Sequence, residues 1–261
     1  MNGRTTDLAT QYDYGMRHPL LDEYYNHSDY FNYGYWQPGT PNQQTASEQL
    51  VAKLLDYIPQ KTGLLLDVAC GMGATTRYLQ THFPPSHIVG INISANQLAR
   101  CQQNAPGTPF QMMDASRLGF KANSFDNVIC VEAAFHFDTR ERFLQEAHRI
   151  LKPGGHLVLS DILFLTLPGK RRRRLPNENF VTDLRQYRSL YLRSGFQKVT
   201  IEEAREACWQ GFYQALMAWG WQKRLAGEIS WQIWGKQMLR LLIGNVIIRH
   251  YLLVSARKQI G

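Results

Sequence analysis

Asp67, Gly71 and Gly73 combine a carboxylate with two glycines at a spacing that suits ligand binding. They belong to the run Leu64-Leu65-Leu66-Asp67-Val68-Ala69-Cys70-Gly71-Met72-Gly73, whose leucines and valine read as a strand covered on both faces. The glycines let the backbone turn tightly and approach a ligand with no Cβ in the way. A helix predicted over residues 74–82 would turn its first N–H groups toward the same place. Asp67 adds a carboxylate beside the turn. A dinucleotide site would carry a third glycine three residues on and an acidic residue about 20 residues further. Thr76 and Asn92 stand at those places, so a nicotinamide cofactor does not fit the pattern.

The second chemical feature is the run Lys170-Arg171-Arg172-Arg173-Arg174. Arginine forks bind diphosphates and phosphomonoesters. The same run also suits a solvated loop or an anionic membrane surface. Charge along the chain is uneven. The formal net charge is +8, and residues 205–261 carry eight basic and two acidic residues. With the arginine run set aside, the rest is slightly acidic. That patchiness argues against a global nucleic-acid-binding surface and leaves room for a local anion site. The four cysteines (Cys70, Cys101, Cys130, Cys208) show no metal-like or disulfide-framework spacing and read as reduced thiols. No metal is implied. The N-terminal residues lack a signal-peptide core, and residues 238–254 are too interrupted by Arg240, Asn245, Arg249 and His250 to span a membrane. A cytoplasmic enzyme is the expectation.

These groups need elements to hold them. After an aromatic-rich segment (Tyr24, Tyr25, Tyr30, Phe31, Tyr33, Tyr35, Trp36) and an amphipathic helix over 45–57, strand and helix signals alternate. Strands are expected at 64–70, 88–93, 110–114, 125–131 and 156–163, with helices at 74–82, 95–104 and 139–151. This alternation argues an α/β fold, a parallel sheet with helices on both faces and the site along the strands' C-terminal edge. Beyond it come a basic loop, a helix over 177–194, a strand at 198–201, a mostly helical stretch at 203–243 holding five of the six tryptophans, and a last strand at 250–257.

From the first motif onward the chain resembles the class I S-adenosylmethionine-dependent methyltransferases. The resemblance continues through Val89-Gly90-Ile91-Asn92, Met113-Asp114-Ala115, Val131-Glu132-Ala133-Ala134-Phe135-His136 and Leu151-Lys152-Pro153-Gly154-Gly155, and covers roughly residues 20–200. Gly90-Ile91-Asn92-Ile93-Ser94-x-x-Gln97 with the upstream Asn32-Tyr33-Gly34-Tyr35-Trp36 is similar to the small-molecule branch containing bacterial sugar O-methyltransferases and tocopherol methyltransferases. The resemblance implies a Rossmann-like seven-stranded sheet with an antiparallel last strand. It also implies an aromatic lid over residues 1–45 and a methyltransferase domain over 46–261, with acceptor-side additions at 165–195 and 203–245.

It further implies S-adenosyl-L-methionine as cofactor and assigns residues to it. Asp67, Ala69, Gly71 and Gly73 would meet the methionine part, and Asn92, Ile93 and Gln97 the ribose. Asp114 and Ala115 would meet the adenine; Glu132 and the lid residues Tyr33 and Trp36 complete the set. For Asp67 and Asp114 the competing reading is polar capping at strand ends; for the aromatics it is ordinary packing. His136 falls where the sugar O-methyltransferases carry a histidine base, and Asp161 at the end of the fifth strand could orient it. Both can equally be structural. The expected activity is methyl transfer to a small or medium organic acceptor, most simply a hydroxyl of a natural product. The alternatives are carbon or nitrogen methylation of a prenyl diphosphate, phosphorylated or lipid-like acceptor held by the arginine run, and a non-catalytic cofactor-binding partner subunit. A homodimer is left open.

Overall fold

Every residue of β1 (Leu65–Val68) is buried, because parallel neighbours flank it and helices cover both faces. The computed structural model of the chain describes residues 10, 13, 19–165, 175–181 and 183–260. β1 pairs with β2 (Ile88–Asn92) and β4 (Phe125–Val131); β2 pairs with β3 (Phe110–Met112), and β4 with β5 (Leu151–Phe164), all parallel. β7 (Ile248–Arg257) runs antiparallel between β5 and β6 (Lys198–Glu203). The seven-stranded order is β3-β2-β1-β4-β5-β7-β6. The expected Rossmann-like sheet with an antiparallel last strand is therefore present.

Alternation along the strands splits the core in two. Leu65, Ile88, Ile129, Val158 and Ile162 pack on one face with α1 (Pro19–Tyr24) and α2 (Gln43–Leu55). Leu66, Ile91, Val128, Leu157 and Leu159 pack on the other with α5 (Arg140–Ile150) and α6 (Leu184–Arg193). Between the central strands run α3 (Ala74–Leu79) and α4 (Ala95–Asn104). The helices begin where side chains cap them. Asn42, Ser94, Thr139 and Asp183 accept from Thr45, Gln97, Arg142 and Gln186 N–H groups.

Several boundaries differ from expectation. β1 stops at Val68 because Ala69 takes a positive φ of 58°, which ends the ladder two residues early. The single helix expected at 177–194 is a short turn, Asn177–Asn179, followed by α6, because Asp183 caps a new start. The tryptophan-rich stretch forms a π-helical turn, Glu206–Gln210, then α7 (Gly211–Leu225) and α8 (Trp231–Ile247). The apolar residues 238–254 divide between α8 and β7, and among the described residues no helix is long and apolar enough to cross a membrane.

Several aromatic residues of the N-terminal segment belong to the core. Tyr24, Tyr25 and Tyr30 are buried against α2 and α7 side chains. Tyr35 N–H donates to Ala46 O at 2.7 Å, and Asn32 O accepts from Tyr25 and from Gln43. Residues 166–174, with the whole arginine run, lie outside the described residues.

Candidate active site

The turn after β1 is built to bring backbone close to α4. Gly73 has φ 89°, and a Cβ there would lie 2.8 Å from the Cys101 Cα, so only glycine fits. The carbonyls of Gly71 and Met72 are tied down by Asn92 Nδ2 at 3.0 Å and Asn104 Nδ2 at 2.8 Å. Ala69, Gly71 and Met72 line a cavity that opens over this turn; Gly73 does not, and its part is the close approach to α4. At the base of the cavity Asp67 is wholly buried and accepts from Thr76 Oγ1 at 2.6 Å. Burial pushes its carboxyl up to about 7, against the pull of the Thr76 hydrogen bond. Thr76, at the third-glycine position of a dinucleotide motif, thus serves the carboxylate.

The edge at β2 corrects the sequence reading. Asn92 Nδ2 donates to Gly71 O and to Gln97 Oε1 (2.8 Å), and its Oδ1 accepts from the N–H groups of Ile93 (2.7 Å) and Ser94 (3.3 Å). Two donors and two lone pairs are the whole capacity of an amide. Asn92 therefore fixes the turn and Gln97 and has no hydrogen bond left for a ribose diol. A carboxylate is nonetheless present, supplied from far upstream. Asp13 accepts from Ser94 Oγ at 2.8 Å, Gln97 Nε2 at 2.9 Å and Asn96 Nδ2 at 2.8 Å. Further along, Met113, Asp114 and Ala115 line the cavity, with Asp114 Oδ1 accepting from Ser116 N–H.

Glu132 and His136 also line the cavity. Glu132 sits at φ 49°, and its Oε1 accepts from Tyr33 N–H at 2.7 Å and from Tyr251 Oη at 2.5 Å. Burial raises its carboxyl to about 7 in spite of both bonds. His136 closes a 3₁₀ turn, Ala134–His136, with its ring 4.3 Å from that of Phe135. Asn179 pins this turn, donating to Phe135 O at 3.0 Å and Phe137 O at 2.8 Å. Asn179 is held in turn by Arg140, whose backbone N–H reaches its Oδ1 and whose guanidinium reaches its carbonyl.

Asp161 enters here in a different role from the expected one. It is fully buried, does not line the cavity, and pairs with Arg140 at 2.7 Å while accepting from Tyr187 Oη (2.8 Å) and Ile162 N–H (2.9 Å). It reaches the His136 turn through Arg140 and Asn179. Tyr33 and Trp36 also fall outside the lining. The Tyr33 ring packs on Trp209 and Phe212, and Trp36 covers Gly211 on the far side. The upstream residues that do line the cavity are Asp29, Tyr30, Phe31 and Asn32. Sequence reasoning missed these, along with Arg140, Asn179 and Asp13. Tyr30 and Phe31 lay in the same aromatic run, but an irregular segment has no period to tell its two sides apart.

The residues present fit S-adenosylmethionine. Asp67 and Asp114 bring carboxylates to one cavity, and Gly71 brings it a glycine backbone free of a Cβ. Residues 66–159 match the family described as a methyltransferase domain, Methyltransf_11. Erythromycin 3''-O-methyltransferase of Saccharopolyspora erythraea is 32% identical over 145 residues, which cover 53% of this chain and 47% of that one. The 27-O-demethylrifamycin SV methyltransferase of Amycolatopsis mediterranei is 30% identical over 156 residues, 57% and 56% of the two chains. The chain thus spans about half the length of these curated relatives. The crystal structure of geranyl diphosphate C-methyltransferase from Streptomyces coelicolor A3(2), solved with S-adenosyl-L-homocysteine, superposes with a TM-score of 0.72 over 98% of each chain at 15% identity. At that identity the likeness is one of fold.

Proposed function

We propose that this chain, whose residues 66–159 match a methyltransferase domain, uses S-adenosylmethionine to methylate a hydroxyl of a small, largely apolar natural product, with His136 taking the proton. One observation carries the reading: a single cavity holds Asp67 and Gly71 from the turn after β1 together with His136 and Phe137 from the turn after β4. The two relatives are named for a 3''-O-methylation and for a 27-O-demethyl substrate, which supports oxygen as the acceptor atom. In this reading residues 1–45 border the cofactor, residues 46–261 form the catalytic domain, and 165–195 and 203–245 bound the acceptor.

When bound, S-adenosylmethionine supplies a methyl group on a sulfonium, already a good leaving group. The protein's task is to align the acceptor and remove its proton. Asp67 would hold the cofactor's ammonium group, Gly71 its methionine backbone, Gln97 and Ile93 the ribose side, and Asp114 with Ala115 the adenine. The acceptor hydroxyl gives its proton to the His136 imidazole as its oxygen takes the methyl group, and the imidazolium then returns the proton to solvent. Imidazole suits this near neutral pH. Phe31, Val131 and Phe137 give the cavity an apolar lining.

The test is His136→Gln, assayed against a panel of hydroxylated macrolides and prenylated phenols. Loss of a general base lowers kcat/KM roughly 100- to 10,000-fold, while affinity for S-adenosylhomocysteine stays unchanged. Transfer at the wild-type rate would remove His136 as base and point to carbon or nitrogen methylation.

A further inference from the structure

Helix α8 is apolar on two opposite sides. Its inner side, Met238 and Leu241 with the partly buried Trp234, packs into the core that also holds Tyr24, Trp209 and Phe212. On its outer side Leu239, Leu242, Ile243 and Val246 recur at i, i+3, i+4 and i+7, a single stripe. They are 58%, 52%, 47% and 67% exposed. Trp231 and Ile233 in the first turn of α8, and Trp221 and Leu225 at the end of α7, are exposed too, so the hairpin carries eight of the twelve exposed large hydrophobics among the described residues. Scattered exposed apolar residues need no explanation, but a contiguous patch does.

The chemistry around the stripe indicates what covers it. α8 carries Lys236 and Arg240, both exposed, and no acidic residue. Trp221, Trp231 and Trp234 cluster with ring centroids 5.5–6.2 Å apart, and the Arg224 guanidinium lies 4.2 Å over the Trp231 ring. Tryptophans beside aliphatic side chains and flanked by cations match the polar–apolar boundary of a bilayer with anionic headgroups. At 17 residues with two cations inside it, α8 lies on a bilayer rather than crossing one. A second copy of the chain is a poorer occupant. Parallel two-fold pairing along the stripe would bring Lys236 and Arg240 near their own copies, and antiparallel pairing would offer them no carboxylate on the facing helix.

We propose that the outer face of the α7–α8 hairpin docks this protein on the surface of an anionic lipid bilayer. The inner face of the same hairpin packs on the segment that borders the cavity: Tyr24 meets Trp219 at 5.4 Å and Tyr33 meets Phe212 at 4.7 Å. An apolar acceptor dissolved in the bilayer would thus lie close to the methyl-transfer site.

Vesicle flotation tests the docking without any acceptor or turnover, so its outcome is independent of the proposed function. The full chain is mixed with vesicles of phosphatidylcholine alone or of phosphatidylcholine with 30% phosphatidylglycerol. The expected result is flotation with the anionic vesicles, reduced at least tenfold by Leu242→Glu/Val246→Glu and, separately, by Lys236→Glu/Arg240→Glu. All four side chains are exposed, and an unchanged far-ultraviolet circular dichroism spectrum and melting temperature certify the fold. No flotation of the wild type overturns the proposal, as does equal flotation of both variants. A wild-type dimer in sedimentation equilibrium that Leu242→Glu/Val246→Glu dissociates, with no vesicle binding, would assign the face to a second copy instead.

Discussion

Replacing Thr76 by valine removes one hydroxyl from a wholly buried carboxylate and leaves the shape of the site nearly unchanged. Thr76 Oγ1 donates to Asp67 Oδ2 at 2.6 Å, and the carboxyl titrates at about 7 even with that bond in place. A hydrogen bond to a charged group contributes about 1.5–3 kcal/mol, so its loss moves the Asp67 titration up by roughly one to two pH units. Only the ionised carboxylate attracts the cofactor's ammonium group. At pH 7.5 a group titrating at 7 is about three-quarters ionised; after the substitution it is roughly a quarter to a thirtieth ionised, which weakens S-adenosylhomocysteine binding roughly 3- to 25-fold. Calorimetric titration from pH 6 to pH 9 reads the effect directly. Wild-type affinity should rise with pH and level off above 7, while Thr76→Val levels off later and narrows the deficit to about twofold or less by pH 9. Asp67→Asn should show weak binding without this profile, which separates Asp67 from Glu132, the other lining carboxyl that burial raises to about 7. A Thr76→Val deficit of equal size at every pH would refute the reasoning.

The same raised titration has a consequence for stability. Because the folded value lies above the unfolded one, Asp67 favours the cofactor-free fold at low pH, and that contribution is lost as pH rises from about 4 to 7. The melting temperature of the cofactor-free protein should fall over this range while the increment from S-adenosylhomocysteine grows, as a thermal melt series would show. Asp161→Asn breaks a fully buried pair with Arg140 and should cost about 3–5 kcal/mol in urea unfolding. In a stabilised background it should also lower kcat more than cofactor affinity, since the pair holds the His136 turn through Asn179. Asp13→Ala frees Gln97 and should weaken S-adenosylhomocysteine binding by about 1 kcal/mol, roughly fivefold. Unchanged calorimetric affinity would leave Asp13 a surface tether.

Much of this was legible in the chain because it rests on local rules. The run at Leu64 to Gly73 announces a strand buried on both faces and a turn only glycine can make, and both are present. The later strands followed from the same alternation, and element boundaries moved where one residue intervened, as at Ala69 after β1 and Asp183 before α6. What could not be read is how hydrogen-bonding capacity is spent. Asn92 is the residue type that could hold a ribose, but four backbone and side-chain partners use it completely. Asp161 lies near the end of β5, where a histidine's partner could stand, yet Arg140, 21 residues away in sequence, claims it. Asp13 left no trace, since its partners lie more than 80 residues downstream. The stretch at 203–243 was legible as helix, but its division into α7 and α8 and the exposed apolar side of α8 were not, because a helix apolar on more than one side shows little amphipathic contrast.

The central claim is that the cavity over the β1 turn binds S-adenosylmethionine. Isothermal titration with S-adenosylmethionine and S-adenosylhomocysteine tests it most directly, with Gly71→Arg as the blocked control, because Gly71 lines the cavity at φ 57°. The account predicts one site of micromolar affinity for each compound in the wild type and none in the folded variant. A well-folded wild type that binds neither would contradict it.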